Sequence, residues 1–420
     1  MHRGLERIEY MKKTILPALI LALCLTACTS GEKPPTYAEL QQHQQTAETA
    51  VSETEPETAD PVSEEAAKLR EEHSKAAAAV LTENREVRFG TTVFGTQTAA
   101  ECDGGIYIDC GMKICLLNRK TGMLQGLCSD PLCSHTSCIE SHTIYSMVSD
   151  GARLYFKGTS ETYTEFSSKK WDKSSFIASY DPENDKLEFL EVWEKDSGSV
   201  STEISLYNGY LYYTKKMNEQ TNSLFRIKTK GGKSERLTFK DEFVQQWTVT
   251  DEKIIYRTDT FTLKCMNMDG SGVETMDEFI CMVYADGDTL YKISSKDESA
   301  FLVYRNDEAL PVRVFSPVNT VVMDGALWYT LHDERILGTY TDKNGRKQNI
   351  KTYNGTSFYC YDLTSGETTE YDCHFSYGVR EFCGMIGNYM LIGGCTEEKA
   401  FSWWIFNPED PSEAYRLYEY

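Results

Sequence analysis

The chain has 420 residues, with 43 lysines and arginines against 64 aspartates and glutamates, for a formal net charge of −21. So acidic a surface repels nucleic-acid phosphates and anionic lipid headgroups, which excludes nucleic acid as a direct partner. Aromatic residues make up 12% of the chain, 26 of them tyrosines, a supply suited to the contact layers between sheets.

Read from Met11, the chain opens Met-Lys-Lys-Thr, continues through the apolar run Ile15 to Leu25, and reaches Leu25-Thr26-Ala27-Cys28. A basic start, a short apolar stretch and small residues before a cut describe a secretory signal. The run is too short to span a bilayer as a lasting helix. Residues 1–10 fit no part of such a signal, which places the true start at Met11. The Leu-Thr-Ala-Cys ending resembles the lipobox of bacterial lipoproteins. That resemblance implies a signal segment of residues 1–28, with Cys28 acylated as the mature N-terminus. The protein would then be anchored by lipid to the outer face of the cytoplasmic membrane, or to the outer membrane in a Gram-negative host. One acyl chain binds only marginally, so retention rests on the two or three chains such proteins carry. The alternative is an ordinary signal peptide cut near Ala27.

Residues 29–61 are acidic and rich in Gln, Thr, Glu and Pro with little to bury, as expected of a flexible tether. Residues 62–84 change character. Ser63 can cap, Glu64 and Glu65 fall in a first turn, and Ala76–Ala79 propagate helix, so a short exposed helix or stalk is expected.

From Val87 onward, short alternating runs of Tyr, Phe, Val and Ile separated by turn residues give the period-two signal of half-buried antiparallel strands. One element recurs, a turn with Asp/Asn-Gly followed by an apolar strand. It occurs at Asp103-Gly104, Asp150-Gly151, Asn208-Gly209, Asp286-Gly287 and Asp324-Gly325, with degenerate copies at Asp251-Glu252 and Gly387-Asn388. Each is followed by a second strand, such as Leu224-Phe225-Arg226-Ile227-Lys228. The copy around Phe301-Leu302-Val303-Tyr304 fits least well. Hairpins at this spacing predict an all-β fold, a β-propeller over residues 85–420. Seven copies predict seven blades, or six if a degenerate copy belongs to its neighbour's sheet. The competing architecture is an irregular β-sandwich or a pair of β domains. The stretch Val87–Phe94 is expected to pair with the last blade and close the ring, since closure removes exposed sheet edges.

Met266-Asn267-Met268-Asp269-Gly270-Ser271-Gly272 resembles the strand-turn of bacterial propellers of unknown function that are related to the TolB and YWTD propellers. Leu327-Trp328-Tyr329-Thr330 echoes the YWTD strand, although no blade carries a full Tyr-Trp-Thr-Asp. A Cys-rich loop over residues 128–138 resembles one in surface lipoproteins of gut Firmicutes.

That loop carries Cys128, Cys133, His135 and Cys138, with His142 four residues on, between the first and second blades. Within 85–420 the histidines are His135, His142, His332 and His374, so two of four share this segment. Cys and His are the ligands of a tetrahedral structural zinc site, and Pro131 restricts the loop. The spacing is not that of a standard finger or ribbon. Disulfides are the rival: the chain has 14 cysteines, and setting aside Cys24 and Cys28 leaves an even number in an exported protein. Inert apolar packing of free thiols is a third reading.

No Gly-x-Ser-x-Gly elbow, His-Glu-x-x-His, P-loop or dinucleotide glycine pattern occurs in the right context. Acidic residues are plentiful, but none is marked as half of a catalytic carboxylate pair; each reads as a turn or solvated residue. Of the Trp403-Trp404 pair at most one can face the core, and Trp171 lies in the insertion Thr159–Ser175 as an exposed candidate. The sequence therefore predicts an extracellular binding or interaction module for a protein, peptide or glycan ligand. The alternatives are a surface enzyme acting on glycans or peptides from the channel, and a structural envelope component.

Overall fold

The computed structural model describes residues 61–419 except 93–96, 111–112, 129–138, 140–141, 163–171, 195–202, 219–220, 240–241, 251, 287–288, 295–300, 306–307, 315–316, 342–345, 355–356, 374–378 and 396–400. The leader, Cys28 and the tether lie outside these residues. The chain divides into two units, Met1–Glu65 and Ala66–Tyr420, and every described strand belongs to the second.

The strands form seven antiparallel sheets in chain order, the blades of an all-β propeller. The first strand of each blade touches the first strand of the next, so these seven strands line the axis. They are Ala99–Cys102, His142–Ser149, Ile204–Tyr207, Val244–Val249, Ile280–Asp286, Pro317–Met323 and Val379–Ile386. Both degenerate repeat copies head a sheet of their own, the fourth and the seventh. The repeated turns join the innermost strand to the second. Asp103-Gly104, Asn208-Gly209 and Asp324-Gly325 all have positive φ at both residues. That is the type I′ geometry whose twist suits a two-residue hairpin and which selects Asp/Asn-Gly. Blades 1 to 5 have four strands each. In blade 6 the second strand, Ala326–Thr341, runs on to pair with an extra strand, Lys347–Asn354, which the repeat pattern does not announce.

Blade 7, the last in chain order, meets blade 1, the first, and three devices join them. At the axis, Val87–Phe89 pairs with the innermost strand of blade 7, in register Val87 to Ile386 and Phe89 to Gly384. The expected closing strand therefore exists, but it adds to the inner edge as a fifth strand. Thr91–Thr92 then moves across to the innermost strand of blade 6. Gly90 makes that crossing possible, since a Cβ there would meet Val321 Cγ1 at 2.1 Å. Arg88 ties the segment down through Asp324 at 2.6 Å.

The second device is the helix Pro61–Glu83. It begins two residues before the expected Ser63, with Pro61 in a first turn where its missing N–H costs nothing. The exposed-stalk expectation fails over the last turns. Ala77, Val80 and Leu81 are buried against Ile106, Leu117 and Leu124 of blade 1 and Ile386, Trp403 and Ile405 of blade 7. Arg119 caps the helix end by donating from Nη1 to the carbonyls of Leu81 at 2.9 Å and Asn84 at 3.1 Å, a cation at the negative pole of the dipole. His73 Nδ1 accepts from the Arg416 backbone N–H at 2.7 Å, edge-on to Trp404, Tyr415 and Tyr418.

The third device is at the rim, where the Leu124 N–H donates to the Tyr418 carbonyl at 2.9 Å. Trp403 Nε1 donates to the Asp109 carbonyl at 3.1 Å. Of the tryptophan pair, Trp403 is the buried one, and Trp404 is half-buried against a neighbouring cluster.

Because the seam is shared by both ends of the ring, Leu81→Ala is expected to destabilise the whole propeller by about 2–5 kcal/mol in one cooperative transition. Calorimetry that shows the main transition unmoved, with only helix signal lost, would contradict this role.

Candidate functional site

The innermost strands of blades 6 and 7 have their axial edges occupied by Thr91–Thr92 and Val87–Phe89. On the other side of the axis, blades 1 to 5 wall a cavity of about 340 Å³, from Gln97 and Glu101 through Ser149, Ser205 and Thr248 to Tyr284. Much of its lining comes from the last residues of the innermost strands, so it lies toward the face carrying the Asp/Asn-Gly turns. Strand alternation explains its mixed chemistry: residues facing the axis need not be apolar, whereas their neighbours pack between blades.

Glu101 is the one charged side chain among the described lining residues, and Arg119 Nη2 lies 3.3 Å from its Oε1. Trp247 and Tyr284 border the cavity and are almost wholly buried between blades. Tyr284 stacks on Tyr291 with ring centres 5.4 Å apart. Burial pushes the Tyr284 hydroxyl far above the usual phenol range, so it stays protonated.

Charged side chains stand inside the walls themselves, at positions that the repeat pattern leaves unassigned. Lys157, in blade 2, is buried and donates from Nζ to the Thr214 carbonyl of blade 3 at 2.7 Å. Burial pushes its pKa down to about 7, against the opposing pull of buried Glu203. Glu203 acts likewise on Arg257, whose guanidinium burial lowers and which sits 5.1 Å from the Phe261 ring centre. Lys215 of blade 3 pairs with Glu191 of blade 2, which also accepts from Tyr213 and, at 2.7 Å, from Ser234. The Lys215 ammonium lies 4.3 Å from the Phe225 ring centre. Lys292 of blade 5 reaches Asp277 of blade 4 at 3.4 Å. These contacts pin blade to blade, and breaking a buried pair by removing one partner costs several times what a surface pair does. The available signal was a lysine inside an otherwise apolar run, as in Leu154-Tyr155-Phe156-Lys157.

The Cys/His loop is only partly within the described residues: Cys133, His135 and Cys138 lie outside them. Cys128 follows blade 1, and His142 opens the innermost strand of blade 2. The His142 ring is buried edge-on to Phe176 and Phe189, at 5.2 and 5.4 Å, and burial lowers its pKa, so the neutral imidazole is favoured. Its Nδ1 has no hydrogen-bond partner among the described residues. A neutral imidazole with an unused nitrogen is the form that ligates a metal. Among the described residues alone, however, no group of three or more His, Cys, Asp or Glu gathers to hold an ion. Elsewhere, burial pushes the thiols of Cys360 and Cys373 up to about 11 and about 12, which suits packing and disfavours thiolate chemistry.

No family model matches the chain, and no curated protein matches it. Solved structures do show likeness. A puromycin-hydrolyzing peptidase of Mycobacterium tuberculosis is 11% identical over 63% of this chain and 43% of its own, with a TM-score of 0.45. This chain thus spans less than half of the peptidase. The Neurospora crassa Pan2 WD40 domain is 7% identical over 69% of this chain and 82% of its own, with a TM-score of 0.42.

The folded-state pKa of Lys157 lies below the usual lysine value, so the unfolded chain binds the extra proton between about pH 7 and 10. Lys157 therefore makes stability rise with pH across that window. Lys157→Met is expected to fold and to flatten that rise. A variant whose melting temperature keeps the wild-type slope between pH 7 and 9 would show that Lys157 is not buried between the blades.

Proposed function

We propose that this chain is a lipid-anchored extracellular protein whose propeller is a binding module, with the channel cavity as its ligand site. The cavity carries the binding reading. It is a preformed concavity on a rigid scaffold, with polar side chains converging from five blades. The rival reading, glycan hydrolysis from the channel, calls for two carboxyl groups about 5–10 Å apart. The described lining offers Glu101, already engaged by Arg119. Anchoring rests on Leu25-Thr26-Ala27-Cys28 and on the tether that follows. The kinship with TolB and YWTD propellers rests on Met266–Gly272. Cys128, Cys133, Cys138 and His135 or His142 would hold a structural zinc that pins the inter-blade loop, or the cysteines would pair as disulfides.

Cys28→Ala is expected to move the protein from the detergent phase to the aqueous phase on phase separation. A mass spectrum placing an unmodified mature N-terminus elsewhere would defeat the anchor. For the binding reading, the full-length protein is titrated with a panel of short peptides and oligosaccharides, by calorimetry and with product analysis by mass spectrometry. Saturable binding with every probe recovered intact is the expected result. Catalytic cleavage of any probe, or no binding across the panel, would contradict it.

A further inference from the structure

We infer that the face of the propeller opposite the Asp/Asn-Gly turns lies against a lipid surface, so that the turn face and its cavity point away from the membrane. This rests on the reading of Cys28 as a lipid anchor and adds which surface of the blades meets the lipid.

The innermost strand of each blade runs up to the turn face, so the second strand ends, the third begins and the fourth ends at the far face. Exposed apolar side chains gather toward that far face. Phe239 and Phe279 stand on the links that leave the outermost strands of blades 3 and 4. Val192 and Met276 lie near the ends of the outermost strands of blades 2 and 4, and Phe401 opens the third strand of blade 7. Ile336 sits where the second strand of blade 6 has run past its pairing with Pro317. Phe239 and Ile336 are 60% exposed and Phe279 is 58% exposed. Among the described blade residues the other large exposed hydrophobic is Phe189, near the middle of its strand, and none stands at the turn face. These side chains are spread from blade 2 round to blade 7. A planar surface touches such a ring of points, whereas a globular partner covers one contiguous patch. Phenylalanine and aliphatic side chains that enter the headgroup boundary bind in proportion to the apolar area they bury.

The chain also enters at the far face. Arg70 of the helix donates to the Glu419 carbonyl, and Glu419 reaches Lys113 in the far-face turn of blade 1 at 3.4 Å. At its other end the helix meets Arg119, in a turn-face hairpin of the same blade. The helix therefore climbs from the far face to the turn face, and Leu69 is exposed on its entering half. A lipid on Cys28 draws this face toward the bilayer first, because the chain between them joins the propeller here.

Charge narrows the kind of lipid. A chain of net charge −21 is repelled by anionic headgroups. On the far face, Glu191, Glu242, Asp277 and Glu419 are each held by a lysine, respectively Lys215, Lys264, Lys292 and Lys113. A zwitterionic surface meets the least opposition there.

The test uses full-length acylated protein in phosphatidylcholine vesicles whose lipids are brominated on the acyl chains, a quencher that acts on contact. Phe279→Trp puts a reporter on the far face, and Glu183→Trp puts one on the turn between the last two strands of blade 2. The emission added by Phe279→Trp is expected to fall at least twofold relative to unbrominated vesicles, while that added by Glu183→Trp stays unchanged. Quenching of both reporters, or of neither, would overturn the lipid-facing surface and leave the anchor in place. An unmodified Cys28 would defeat the anchor by itself. In that case the protein is sedimented with the same vesicles beside a variant carrying Phe239→Ser and Phe279→Asn, asparagine being tolerant of the positive φ at residue 279. Saturable association that falls at least threefold in this variant, with its melting temperature within a few degrees of wild type, would keep the surface; no association would overturn it. Self-association in detergent that the same variant abolishes would assign the face to a second copy and overturn the lipid contact as well.

Discussion

A ring of blades has one junction that the chain does not cross, and here blade 7 meets blade 1 there. Open sheet edges and an unfilled apolar wedge at that point would leave every other blade packed against a ring free to spring open. The chain solves this with residues that precede the first blade. Ala77, Val80 and Leu81 fill the wedge, with Ile106, Leu117, Trp403 and Ile405 around them. Each large side chain buried in this way contributes about 1.5–3 kcal/mol as an upper estimate. Glycine supplies the room: a Cβ on Gly122 would stand 2.1 Å from the Ser74 carbonyl oxygen of the helix. A segment that reads by itself as a solvated stalk is therefore part of the core.

The same segment shapes the channel. After leaving the helix it follows the inner edge of blade 7, crosses at Gly90 and follows blade 6, so those two blades present added strands to the axis. The free space is left to blades 1 to 5, and closure and site formation are two results of one excursion. The walls are held at fixed distances by Lys157 on Thr214, Lys215 on Glu191 and Lys292 on Asp277, each of which joins one blade to the next. The two ion pairs among these contacts, Lys215 with Glu191 and Lys292 with Asp277, are weak sources of net stability, and their geometric demand gives them a positioning role.

Much of the architecture was legible because its signals are local. Asp103-Gly104, Asn208-Gly209 and Asp324-Gly325 announce hairpins through a backbone geometry that few other residue pairs adopt. The aromatic run Leu211-Tyr212-Tyr213 directly after such a turn marks a strand in the same way. The parts that were not legible depend on distant partners. Val87–Phe89 reads as a closing strand, but nothing in it tells an inner edge from an outer one, and Thr91–Thr92 is too short to signal a change of blade. Lys157, Lys215 and Glu191 look like ordinary solvated charges until the neighbouring blade supplies their surroundings. The cavity was invisible for the same reason, since Ser149, Ser205 and Thr248 sit at unrelated points of the repeat and meet only around the axis. In the Cys/His loop, the environment of His142 among Phe176 and Phe189 could not be read from spacing.

The claim that a segment from outside the blades both closes the ring and occupies the axial edges of blades 6 and 7 is most directly tested by hydrogen–deuterium exchange of the full-length protein. The amides of Arg88 and Gly90, which the register directs at Met385 and Cys383, are predicted to exchange as slowly as that of Met385, through the same global opening. Rapid exchange at Arg88 and Gly90, with the blade strands still protected, would mean that the ring closes without this strand and that the channel is not divided in this way.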